Sequence, residues 1–98
     1  IDRILDVVAP DGAHFCLSFD IDVIDPTHAP GIDTPVPGGL SPETAKRILS
    51  RIAAHGGLVA MDVVEVNPEF DELDRTAKLA VELAVPTIAG AQPLLEKN

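Results

Sequence analysis

Two short apolar runs with a single capped helix between them restrict the fold more than any other feature of this 98-residue chain. The first run, His14 to Ile21, and the second, Leu58 to Val66, are each strand-length and apolar on both alternating faces. Strands buried on both faces belong to parallel sheets. The segment between them holds Ser41-Pro42, a favoured N-cap followed by proline at the first helical position. Ala45, Ile48, Leu49 and Ile52 then give an apolar stripe at helical spacing, and Gly56-Gly57 stops the helix. Strand, helix, strand is a βαβ unit, and its crossover is right-handed.

Ile1, Ile4, Leu5 and Val8 recur at helical spacing, so residues 1–8 read as the last turns of a helix, broken by Pro10-Asp11-Gly12. After the second strand, Asn67-Pro68 ends the run and Asp74 is expected to cap a further helix over Thr76 to Val85. Pro86 is expected to kink or end that helix, leaving residues 86–98 as a tail. The whole reads as one partial domain, residues 1–98. Its strands have unfilled edges, so a larger parallel sheet is expected around them.

Between the first strand and the capped helix lies a long loop, residues 23–40, with four prolines and three glycines. Irregular loops of this length in compact domains are usually functional. Asp20 and Asp22 stand at its entrance. They close the first strand, where residues i and i+2 share a face, so the two carboxylates are expected side by side about 6–7 Å apart. Like charges so placed favour a cation between them, and carboxylate oxygens select Mg²⁺, Ca²⁺ or Mn²⁺. The competing reading is that the pair caps the loop by accepting backbone N–H bonds. A strand ending in Asp-x-Asp also occurs in phosphoryl-transfer enzymes of the haloacid dehalogenase type, but Val23 and Ile24 stand where that pattern continues with Gly and Thr.

Ligands of open α/β sheets gather at the carboxyl ends of the strands. Glu65 ends the second strand, so it should face the same crevice as Asp20 and Asp22. Asp62 has the opposite parity and is expected to have a structural partner. Cys16, inside the first strand, reads as a packing residue. His14, His28 and His55 show no ligand spacing.

Sixteen acids against seven bases give a net charge of −9, which argues against nucleic acid or an anionic membrane as partner. No apolar run reaches the ~18 residues of a membrane helix. A single cysteine and a start without a leader pattern make the cytoplasm the expected compartment.

The ordered elements Ser18-Phe19-Asp20-Ile21-Asp22, Asp25-Pro26, Ala29-Pro30-Gly31, Thr34-Pro35 and Gly38-Gly39-Leu40 closely resemble a metal-binding signature of the ureohydrolases, the arginase and agmatinase family. Asp62-Val63-Val64-Glu65-Val66-Asn67-Pro68, then Asp71 and Thr76-Ala77, resemble the family's second C-terminal block. The resemblance spans roughly residues 14–85. It implies the C-terminal portion of a three-layer parallel-sheet, arginase-like α/β fold. It also implies that Asp20 bridges two Mn²⁺ ions, that Asp22 binds one, that Glu65 grips a substrate guanidinium and that Thr34 lines the pocket. The implied reaction is hydrolysis of a linear guanidine with release of urea. Arginase-like chemistry is favoured, with agmatinase and other ureohydrolases open, and the complete protein is expected to be a homo-oligomer. The family's remaining metal ligands and its catalytic His have no counterpart in this segment, so the isolated chain is expected to be inactive. The alternative of another class is a non-catalytic assembly module.

Overall fold

The computed structural model describes residues 1–96. Helix α1 (Asp2–Val8) leads through a 3₁₀ turn at Pro10–Gly12 into strand β1 (Phe15–Asp20). The long loop follows, then α2 (Pro42–Ala54), β2 (Leu58–Val64) and α3 (Arg75–Glu96). The two strands pair in parallel, with Leu17 opposite Met61, Phe19 opposite Val63 and Asp20 opposite Val64. This is the βαβ unit of an α/β fold that the two apolar runs and the capped helix lead one to expect.

The helix between the strands starts where the sequence places it. The Ser41 hydroxyl accepts from the Thr44 N–H, and Pro42 occupies a position whose N–H would have no partner. Ala45, Leu49, Ile52 and Ala53 form its buried stripe, and Ile48 is half-buried. Gly57 completes the turn into β2: a Cβ there would lie 2.2 Å from the Ala13 carbonyl oxygen. Beside it, the His55 ring accepts from the Gly57 N–H at 3.1 Å and bonds the Ala9 carbonyl at 2.8 Å. Because a carbonyl only accepts, Nε2 carries the proton. His55 thus fastens the end of α1 to the end of α2.

The strands are not buried on both faces. Leu17, Phe19, Met61 and Val63 are half-buried against the core, while Cys16, Ser18, Ala60 and Asp62 form an open face. A two-stranded sheet with helices packed on one side leaves the other side uncovered. Cys16 is therefore exposed rather than packed. Asp62 has the structural partner expected of it, the Ser18 hydroxyl at 2.7 Å.

Helix α3 runs unbroken through Pro86, against the expectation of a kink or stop and a tail from residue 86. Its buried residues Thr76, Leu79, Leu83, Thr87 and Ala91 line one stripe on both sides of the proline, and the helix packs on α2 and β2. Pro86 itself is exposed, so water can satisfy the carbonyl left without an N–H, and packing outweighs the local penalty. The Thr87 hydroxyl donates to the Leu83 carbonyl at 2.7 Å. The last two residues of the expected tail, 97 and 98, lie outside the described residues. No helix among the described residues is long and apolar enough to cross a membrane.

Candidate functional site

Asp20 is the last residue of β1, and Asp22 is already off the strand. Residues Ile21–Val23 form a 3₁₀ turn capped by Asp20, whose Oδ1 accepts from the Asp22 N–H at 3.0 Å. The doublet is therefore a turn, and the same-face strand spacing of 6–7 Å does not apply. Ile21, fully buried, turns the chain inward and leaves Asp22 half-buried beside Asp20. The loop-cap reading of Asp20 is realised: its carboxylate accepts the backbone N–H of Asp22.

Glu65 joins them through the strand register. Val64 lies opposite Asp20, and Glu65 is the next residue. The strand, expected to reach Val66, stops at Val64 because Glu65 adopts a left-handed backbone with φ 73°. That conformation costs a non-glycine residue about 1–2 kcal/mol. Such outliers persist where the surroundings hold them, and they cluster at functional sites. Glu65 is exposed at this strand end.

The electrostatics register the convergence. The Asp22 carboxyl is held above its ordinary 3.8, first by a hydrogen bond shared with the Asp20 carboxyl, then by desolvation, and then by the charges of Asp20 and Glu65. Acids that raise one another in this way favour a hard cation. Two carboxylates do not close a metal site, however. Among the described residues no group of three or more His, Cys, Asp or Glu side chains is arranged to hold a metal ion. Asp20, Asp22 and Glu65 thus share a field without forming a coordination sphere. The donor set, carboxylate oxygens alone, fits part of a hard-cation site and no more.

The loop that frames this crevice is tied down mostly by residues to which sequence reasoning gave no structural role. Ile24, Ala29 and Ile32 are buried, which holds a proline-rich segment in one shape. Asp25 closes the loop's base. It accepts from the Thr27 N–H at 2.9 Å, the Thr27 hydroxyl at 2.8 Å and the Gly38 N–H at 2.8 Å. Those bonds, the Thr27 N–H first, hold its carboxyl down at about 2. The Asp25-Pro26-Thr27 run was the available signal, since Asp commonly accepts from the N–H two residues on.

The loop's far side rests on the start of α3. Gly31 donates to the Thr76 hydroxyl at 2.8 Å, and its carbonyl accepts from the Asn67 N–H at 2.7 Å. Asp71 accepts from the Thr76 N–H at 3.0 Å and the Ala77 N–H at 3.1 Å. Asp71, not Asp74, therefore caps α3; Asp74 is exposed in a left-handed turn with φ 59°. Desolvation pushes the Asp71 carboxyl up, but the bonds from Thr76, Ala77 and Glu72 outweigh it, and the group sits below its ordinary range. Gly31 is obligatory here, because a Cβ would lie 2.8 Å from the Asp71 Cβ. Thr34 is exposed on the same loop, after Asp33, whose carboxylate accepts from the Asn67 side-chain amide. His14 and His28 are exposed.

A parallel βαβ unit with carboxylates gathered at its strand ends, under a loop stitched to the following helix, defines an α/β domain with an acidic strand-end crevice. The sequence profile of the Arginase family matches residues 1–89, and the chain belongs to that family. It is 47% identical over 75 residues to mitochondrial arginase-2 of Homo sapiens, which covers 76% of this chain and 21% of that protein. It is 48% identical over 69 residues to the agmatinase of Edwardsiella ictaluri, 70% of this chain and 22% of the relative. The formimidoylglutamase of Bacillus subtilis superposes with a TM-score of 0.85 at 31% identity, over 95% of this chain and 29% of that one. The chain spans about a fifth of the length of the curated relatives it matches.

Proposed function

We propose that this chain supplies the strand-end side of a ureohydrolase active site, hydrolysing a linear guanidine to release urea. The observation that carries the proposal is the parallel register with Asp20 opposite Val64, which sets Glu65 beside the Asp20–Asp22 turn. Relatives named arginase, agmatinase and formimidoylglutamase support a ureohydrolase. The run Glu65-Val66-Asn67-Pro68 favours arginase-like chemistry, with agmatinase as the alternative.

On this reading Asp20 and Asp22 would help to hold a pair of Mn²⁺ ions, Asp20 serving both and Asp22 one, and the other ligands would come from residues outside this chain. A metal pair of this kind supplies hydroxide from bound water near neutral pH. The chain's own residues do the rest. The Asp20 cap on the Asp22 N–H fixes the turn, so both carboxylates are presented with little reorganisation. Glu65 meets the planar guanidinium with a charge-assisted, two-pronged contact. Thr34 borders the same pocket from the loop. Further parts of the proposal are a cytoplasmic location, a small cationic substrate and a homo-oligomeric complete protein.

Urea release from arginine and from agmatine by the full-length protein with Mn²⁺ tests the reading. Asp20→Ala and Asp22→Ala should each abolish turnover and weaken Mn²⁺ binding in a direct titration. Unchanged Mn²⁺ affinity and activity in both variants would refute the site. The 98-residue chain alone should release no urea above blank.

A further inference from the structure

Residues 33–37 are all exposed, and two of the five are prolines. On one side the chain is anchored by buried Ile32, and on the other by the Gly38 N–H on Asp25. Between those anchors one hydrogen bond holds the span among the described residues, from the Asn67 side-chain amide to the Asp33 carboxylate. Asn67 is well placed for this. Its main-chain N–H donates to the Gly31 carbonyl at 2.7 Å, and its Oδ1 accepts from the Glu69 N–H at 3.0 Å. With Oδ1 so occupied, Nδ2 faces Asp33. Asn67 also stands two residues after Glu65, whose left-handed backbone ends β2.

We infer that Asp33 and Asn67 act as a positioning pair, holding the Thr34 segment in register with Glu65 so that the two walls of the guanidino pocket are set before substrate arrives. The inference rests on the functional reading above and adds to it a pair of residues that touches neither metal nor reacting atoms. Without the tie, the 33–37 span samples other conformations, and apparent affinity falls by the fraction of time the pocket is formed. The chemistry in the formed pocket is unchanged. The pair therefore governs KM rather than kcat.

The test uses the full-length protein and four variants: D33A, N67A, D33A/N67A and the exchange D33N/N67D. The exchange keeps an amide donating to a carboxylate, and a carboxylate at position 67 still accepts from the Glu69 N–H. Hydrogen–deuterium exchange over residues 33–38 should rise in both single variants and return in the exchanged pair. KM for arginine or agmatine should rise roughly five- to ten-fold in each single variant, with kcat within about two-fold. The double-alanine variant should be no worse than the singles, because both remove one interaction. The exchanged pair should recover the KM of the parent. Unchanged amide exchange, unchanged KM, additive effects or failed recovery in a variant with parental melting temperature would each overturn the positioning role. A parent protein that releases no urea from either substrate would overturn the functional reading, and the positioning role with it. Amide exchange alone would still report whether the tie exists.

Discussion

Gly39→Ala tests the account of the loop's base most sharply. A Cβ at this position would lie 2.7 Å from the Asp25 nitrogen, 2.8 Å from the Val23 carbonyl oxygen and 2.9 Å from the Ile24 carbonyl carbon. All three are backbone atoms, so no side chain can swing aside. The loop segments that must part are joined by the Ile24–Leu40 bridge, with the Asp25 N–H on the Leu40 carbonyl at 2.9 Å and the Leu40 N–H on the Val23 carbonyl at 2.8 Å. Forcing an extra carbon into a packed site costs about 1–3 kcal/mol. Opening the bridge forfeits two backbone hydrogen bonds at a net ~0.5–1.5 kcal/mol each. The expected destabilisation is therefore about 4 kcal/mol, and at least about 2. Gly38→Ala is the control. Gly38 has φ 88° and nothing within 4 Å of an added Cβ, so its penalty is purely conformational, about 1–2 kcal/mol. Gly38→Asn should cost less, because Asn tolerates the left-handed region. Urea denaturation of the full-length protein, followed by circular dichroism, ranks the three variants. A Gly39→Ala variant as stable as Gly38→Ala, or within ~0.5 kcal/mol of the parent, would refute the claim that close backbone approach fixes this position.

Three further outcomes follow from other parts of the fold. The Asp25 carboxyl, held at about 2 when folded against an ordinary 3.8, contributes stability that is fully present above the ordinary value and is lost as pH falls through about 2. Asp25→Asn should flatten the decline in stability between those two values, and parallel curves for parent and variant would count against the loop-base role. Leu49 is 1% exposed, so Leu49→Ala should cost about 2–5 kcal/mol in a denaturation curve, and a loss below ~1 kcal/mol would show that the α2 stripe is not core. Nitrogen-15 shifts of His55 should report the Nε2–H tautomer with Nδ1 unprotonated; the opposite tautomer would contradict its pairing with Ala9 and Gly57.

The order of elements was legible because each is set locally. Ser41-Pro42 starts a helix whatever surrounds it, and two apolar runs flanking one helix have few arrangements other than a parallel pair. What the sequence hid lay where tertiary context overrules local preference. Pro86 reads as a helix breaker, yet buried residues on both of its sides carry α3 through. Cys16 reads as packed, yet it falls on the strand face that the helices leave open. Asp20 and Asp22 were rightly placed together, but by extrapolating strand geometry two residues too far. The turn at Ile21 begins because burying that side chain outweighs continuing the strand. The Asp33–Asn67 contact joins chain segments that meet only after folding, and Asp71 caps α3 in place of Asp74 because Asp74 lies in a left-handed turn just before the helix.

The loop is secured largely through main-chain atoms: the Gly31 N–H and carbonyl, the Gly38 N–H, the Val23 carbonyl, and the Asp25 and Leu40 amides and carbonyls. An architecture held by backbone leaves the outward side chains of Thr34 and Val36 exempt from folding constraints. Such a loop can exchange those residues and keep its shape, so that variation of its outer surface need not pass through unstable intermediates. The frame and the surface it displays are then separable, and a substitution at Thr34 or Val36 alters what the loop presents without reshaping the loop itself.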